Sequence, residues 1–200
     1  MFRRTHSDPD TQARCGVLSL PHGDVETPAF MPVGTAGTVK AVPHSRLEAL
    51  GFNLILGNTY HLYLRPGLDT IDSFGGLHAF SSWDGNILTD SGGYQVFSLA
   101  PFRKIHSDGV AFQSHIDGSR HKLTPEGVVD IQVGLNSDVQ MALDVCTAYG
   151  ASRDEAAEAS ETTSRWATLA KARWLSHRRG PDGGERSERS QPRDYRGSLF

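Results

Sequence analysis

Asp90 and Asp144 are the residues that most invite a chemical reading, because each directly follows a short apolar run. Ile87-Leu88-Thr89 precedes the first and Met141-Ala142-Leu143 the second. Two carboxylates at the ends of buried strands can divide the roles of general acid and nucleophile, or can together hold one polar ligand. A carboxylate also accepts paired hydrogen bonds from an adjacent N–H and amino group, as on the Watson–Crick edge of guanine. The small side chains of Ser91, Gly92 and Gly93 let backbone N–H groups approach a ligand, and Tyr94 can stack on the face of a base. Taken singly, such residues have plainer uses: Asp-Ser-Gly as a capped turn, Tyr94 as a core aromatic, Cys146 as a small buried residue.

Other chemistries have less support. Asp90 to Gly93 is neither a GxGxxG fingerprint nor a P-loop. Cys15 and Cys146 have no CxxC partner, so neither a disulfide framework nor a cysteine zinc site can be built from them. Of the nine histidines, His61 alone stands at a strand end, and none has metal-ligand spacing; no metal site is expected. The net charge of −3 does not advertise nucleic-acid binding. No apolar run is long enough to cross a bilayer and the start lacks a secretory stretch, so a cytoplasmic protein without membrane contact is expected.

The elements that must position these residues alternate. Pro43 to Leu50 reads as a helix closed by Gly51, with Leu54-Ile55-Leu56 as a buried strand after it. Leu68, Ile71 and Phe74 form a short helical stripe halted by Gly75-Gly76. Residues 87–89 are the next strand. Val110 to Ile116, the turn Asp117-Gly118 and Arg120 to Leu123 read as a β-hairpin. Thr124-Pro125-Glu126 starts a helix carrying Val128, Ile131 and Leu135, and residues 139–143 form a further strand. Ser152 to Glu155 is a capping box opening a helix striped by Trp166, Leu169, Ala170 and Trp174. This alternation predicts βαβ units and a parallel sheet, whose carboxyl-end rim receives residues 57–61, 90–95 and 144–147. From Arg178 to Ser198 there is no aliphatic residue and Tyr195 is the only aromatic, so 178–200 is expected to be a disordered tail.

Three stretches carry a resemblance: Thr27-Pro28-Ala29-Phe30-Met31-Pro32-Val33-Gly34-Thr35, Gly57 to Gly67, and Ile87 to Leu99, continued by Leu143-Asp144-Val145-Cys146-Thr147. Over about residues 8 to 177 the chain resembles the N-terminal half of bacterial-type tRNA-guanine transglycosylases, also called queuine tRNA-ribosyltransferases. The resemblance implies an α/β fold, the first part of an eight-stranded β/α (TIM-type) barrel, with strands near 30–33, 54–56, 87–89 and 139–143. It implies a pentosyltransferase that exchanges guanine at the tRNA wobble position for a 7-deazaguanine in queuosine biosynthesis, and a homodimer.

By the same resemblance Asp90 contacts the base and handles its protons, Ser91, Gly92 and Gly93 surround the base, and Tyr94 stacks. Asp144 reads the guanine-like edge, and Cys146 favours 7-aminomethyl-7-deazaguanine over queuine. The family's nucleophilic aspartate and its structural zinc, held by three cysteines and a histidine, belong to the second half of the barrel and have no counterpart here. No cofactor is therefore expected in this chain, and it is expected to be inactive alone. The fifth strand is expected soon after the Trp166 helix, where the chain has Arg178 to Tyr195 and then Arg196-Gly197-Ser198-Leu199-Phe200; a local frameshift would produce that pattern. Two other readings stay open: a β/α hydrolase of glycosides or phosphates using Asp90 and Asp144, and a purine-binding fragment without turnover.

Overall fold

The computed structural model describes residues 1–100, 102–178 and the backbone of 198–199. Its centre is an open sheet of four parallel strands in the order β10-β9-β5-β4: β4 (Leu54–Gly57), β5 (Asn86–Thr89), β9 (Val139–Gln140) and β10 (Ser198–Leu199). α2 (Thr59–Leu64), α3 (Leu68–Ser73) and α4 (Leu77–Ser81) connect β4 to β5. α5 (Gly93–Leu99), a three-stranded antiparallel sheet and α6 (Pro125–Leu135) connect β5 to β9, and α7 (Arg153–Arg178) follows. That antiparallel sheet is β6 (Arg103–His106), β7 (Gly109–Gln113) and β8 (Arg120–Leu123). A second antiparallel sheet, β1 (Phe2–Ser7), β2 (Arg14–Leu20) and β3 (Gly23–Thr27), precedes α1 (His44–Ala49). None of the three sheets closes.

The local signals explain the elements. Thr124 caps α6, its hydroxyl accepting from the Gly127 N–H at 3.0 Å, while Val128, Ile131 and Leu135 turn inward. The capping box at α7 is complete: Ser152 N–H donates to Glu155 at 2.8 Å and Glu155 N–H to the Ser152 hydroxyl at 3.2 Å. Of the expected α7 stripe, Trp166 and Ala170 are buried, but Leu169 is 38% exposed. Leu50 and Phe74 likewise point to solvent, each one position past its helix, while α1 buries Leu47 and α3 buries Ile71.

Strand alternation gives the parallel sheet two unlike faces. Ile55 and Ile87 pack with Leu47, Leu62, Leu77 and Trp83 under the helices, and each buried side chain of this size contributes roughly 1.5–3 kcal/mol. Leu56 and Leu88 face the other way and are only half-buried.

Three expectations change. Residues 30–33 form no strand but a single parallel bridge, Val33 to Leu56, because Pro28 and Pro32 have no N–H for a longer ladder. β9 stops at Gln140 rather than 143. The Met141 N–H still reaches the Thr89 carbonyl of β5 at 3.2 Å, but it is shared with the buried Gln132 side chain of α6, which accepts it at 3.0 Å and donates to the Met141 carbonyl at 2.9 Å. The hairpin gains a third strand, β6, and its turn runs from Ser114 to Ser119. Residues 179–197, which carry the tail reading, lie outside the described residues. Ser198–Leu199 pair with β9 in the place next along the sheet.

Two histidines that sequence spacing does not connect meet in the fold. His22, in the β2–β3 turn, and His78 of α4 stack with ring centroids 3.9 Å apart, both on Asp138. Their ligand atoms and those of Asp138 lie within 4.8 Å of one another. Asp138 is already engaged: Oδ1 by His22 at 2.7 Å, Oδ2 by His78 at 3.0 Å and by the Ile87 N–H at 2.8 Å. The cluster ties the N-terminal sheet to the starts of β5 and β9.

Candidate functional site

At the carboxyl end of β5 the chain enters Asp90, Ser91 and Gly92 before α5 begins. The Asp90 carboxylate is half-buried and accepts four N–H donors. Oδ1 takes the Thr59 N–H at 2.9 Å and the Gly92 N–H at 3.2 Å. Oδ2 takes the amides of Asn58 at 2.6 Å and Gln95 at 3.0 Å. Burial pushes the Asp90 carboxyl above its usual range, and these donors pull in the opposite direction without cancelling it.

Asp144 arrives four residues past the end of β9, also half-buried. Its Oδ1 accepts the Ser91 hydroxyl at 2.8 Å, and the Cys146 thiol donates to Oδ2 at 3.4 Å. Ser91 Oγ in turn accepts the Gly93 N–H at 3.1 Å, so the turn after β5 holds the carboxylate that follows β9. Gly93 is required for this approach. A Cβ there would stand 2.8 Å from both the Asp144 carbonyl and its Oδ1. Gly92 has φ +79, a left-handed conformation suited to glycine.

Tyr94 is 63% exposed, which removes its reading as a core aromatic and leaves its ring open to a ligand's face. Cys146 is half-buried; burial first, then the neighbouring Asp144 charge, pushes its thiol up to about 11. At neutral pH it is therefore an S–H group beside the carboxylate, and no thiolate nucleophile.

Asn58, Thr59 and Gln95, which hold Asp90, stand at strand-end positions that alternation alone marks as rim. His115 was not foreseeable from spacing. It comes from the β7–β8 turn, and its Nδ1 shares a hydrogen bond with the Tyr60 hydroxyl at 2.8 Å. His61 sits against it with ring centroids 5.8 Å apart. Burial and then His115 push His61 down, while the Asp90 charge opposes them. The buried Gln95 Oε1 has no hydrogen-bond partner among the described residues.

The zinc set of three cysteines and a histidine does not fit this chain. Cys15 is exposed on β2 and Cys146 lies beside Asp144, and these are its two cysteines. Among the described residues no helix is long and apolar enough to cross a membrane.

The family model described as queuine tRNA-ribosyltransferase matches residues 8–186. A queuine tRNA-ribosyltransferase of Treponema denticola is 50% identical over 200 residues, all of this chain and 49% of the relative. Relatives of the same name from Borrelia hermsii and Desulfosudis oleivorans are 54% and 56% identical, over 92% and 86% of this chain and 49% and 45% of their own lengths. The chain thus spans about half the length of the curated relatives it matches, and it belongs to the queuine tRNA-ribosyltransferase family.

Proposed function

We propose that this chain forms the base-binding half of a tRNA-guanine transglycosylase site, within the TIM-type barrel of its family. The observation that carries the reading is the division of labour between the two strand-end carboxylates. Asp90 is saturated by four N–H donors, whereas among the described residues Asp144 accepts one hydroxyl and one weak thiol donor. Asp144 therefore retains acceptor capacity for the N–H and amino pair of a guanine-like edge. Both the leaving guanine and an incoming 7-deazaguanine present that edge, so one carboxylate serves both bases. Gln95 Oε1 offers a further acceptor, and Tyr94 a ring for the base's face.

Asp90, with its carboxyl pushed up by burial, suits proton handling. Protonating it replaces an acceptor with a donor, which loosens the Asn58 or Gln95 amide and frees that oxygen for the base. The expected substrate is a tRNA with guanine at the wobble position. The Cys146 thiol, small and neutral beside Asp144, is consistent with a 7-aminomethyl-7-deazaguanine preference. By the family resemblance the attack on ribose belongs to a second aspartate in the other half of the barrel, so the complete exchange needs groups beyond these residues.

Titration calorimetry with 7-aminomethyl-7-deazaguanine tests the assignment. Asp144→Asn is expected to weaken binding about 10- to 100-fold, since an acceptor facing two donors becomes partly a donor, at about 1–3 kcal/mol. Unchanged affinity removes Asp144 from the site. A glycoside or phosphate hydrolase built on the same pair would instead release product from simple esters or glycosides without tRNA.

A further inference from the structure

The antiparallel sheet β6–β8 stands over the candidate site and turns an unlike face to solvent. Its inward face packs Val110, Phe112 and Leu123 into the core. Cross-strand register places Lys104, Ala111 and Lys122 together on the other face, with Gln113 and Arg120 paired beyond them. Phe102, whose carbonyl accepts the Gln113 N–H, is 70% exposed at the same end. Lys122 is tied to Asp108 at 2.6 Å, and the Asp117 carboxylate is occupied by Ser119. Lys104 and Arg120 are exposed and form no ion pair among the described residues. A face with two such cations and an open aromatic ring, on a chain of net charge −3, has the charge and the ring that a nucleic-acid strand requires.

The face also meets the site at Arg103, which register pairs with the inward Phe112. Phe102, Lys104, Gln113, Arg120 and His121 line a shallow depression of about 580 Å³ together with Arg103. Arg103 also borders the crevice lined by Gly93, Asp144 and Cys146, its guanidinium 4.6 Å from the Phe97 ring centroid. On the far side, His115 of the β7–β8 turn bonds Tyr60 above α2.

We infer that the outward face of β6–β8 docks the single-stranded RNA flanking the exchanged base, with Lys104 and Arg120 on phosphates and Phe102 stacked under a neighbouring base. The inference rests on the base-exchange reading of the adjacent site and adds the surface that holds the polymer. An acidic protein segment would satisfy the cations but would leave the exposed ring without a planar partner.

Fluorescence anisotropy of a labelled anticodon stem-loop, with guanine at the wobble position, tests this on the full 200-residue chain. Lys104→Ala/Arg120→Ala is expected to weaken RNA binding at least tenfold and to lower the slope of log affinity against log salt by about 1.4–1.8. Phe102→Leu is expected to weaken binding about fivefold or more with the salt slope unchanged, because stacking is lost and charge is not. Arg3→Ala/Arg4→Ala, two exposed cations on the N-terminal sheet, is the charge-matched control. Calorimetry with the free deazaguanine is expected to give wild-type affinity in all three variants. RNA affinity and slope unchanged in the double variant, or no RNA binding by the wild-type chain, overturns the docking face while leaving the base site standing. Displacement of the RNA by poly-glutamate as readily as by unlabelled RNA also overturns it. Failure of the wild-type chain to bind the free base counts against the base-exchange reading instead.

Discussion

At the scale of single residues, the site depends on contacts that tolerate almost no added volume. Gly93 separates the turn after β5 from Asp144, and the space for its missing Cβ is bounded by backbone and by the carboxylate itself. Gly93→Ala is therefore expected to displace Asp144, break the Ser91 bond and reduce deazaguanine affinity about tenfold or more. The melting temperature should fall by only a few degrees, as for an overpacking cost of about 1–3 kcal/mol. Calorimetry and thermal unfolding on the same sample check both parts. Nothing in the residue types announced this dependence. Ser91-Gly92-Gly93 is legible as a small, close-approach turn, but its partner lies 53 positions away from Ser91, beyond the reach of any local pattern.

At the scale of elements, the tie between the N-terminal sheet and the parallel strands is the one that titrates. Burial alone would raise the Asp138 carboxyl, but His78, the Ile87 N–H and His22 outweigh it and leave it below its ordinary value. A depressed carboxylate contributes stability that is present above its unfolded value, near 4, and is lost as pH falls through the lower folded value. Asp138→Asn is expected to cost about 2–4 kcal/mol at neutral pH, since it removes the charge that two imidazoles and a buried N–H address. It should also flatten the loss of stability below about pH 4. Urea unfolding at pH 3, 5 and 7 checks this, and a variant with the wild-type pH dependence would show that Asp138 is not the titrating tie. Legibility at this scale was uneven. Capping signals placed α6 and α7, while β1 to β3 went unread because their residues are mostly exposed and show no clean alternation.

At the scale of the whole molecule, the parallel sheet has one face under helices and the other only partly covered. Leu56 and Leu88 are half-buried there, Met141 is 36% exposed and Val33 51%. The four-stranded sheet also remains open at the β4 side apart from the Val33 bridge. Apolar side chains beside unpaired backbone favour association. The 200-residue chain is expected to migrate above monomer mass in light scattering, with the effect growing with concentration. A monodisperse monomer with a cooperative thermal transition would refute it. Seven apolar residues belong to the runs read as strands in the sequence: Leu54, Ile55, Leu56, Ile87, Leu88, Met141 and Leu143. Tertiary packing covers Leu54, Ile55, Ile87 and Leu143 and leaves the other three.

By itself the sequence determined what depends on near neighbours: the apolar runs that become β4 and β5, the caps of α6 and α7, the glycines that permit tight turns, and the motif stretches that mark the family. These are decided by backbone propensity and by side chains within one or two turns of each other. Only the tertiary structure decided that Gln132 binds the backbone of Met141 just past β9, that His115 reaches Tyr60, that His22 and His78 share Asp138, and that Asp90 accepts four N–H donors while Asp144 keeps acceptor capacity. The first three of those outcomes join groups 9 to 116 positions apart. Hydrogen bonds of this kind are selected by packing across elements, where the cost of leaving a buried polar group unpaired exceeds any local preference.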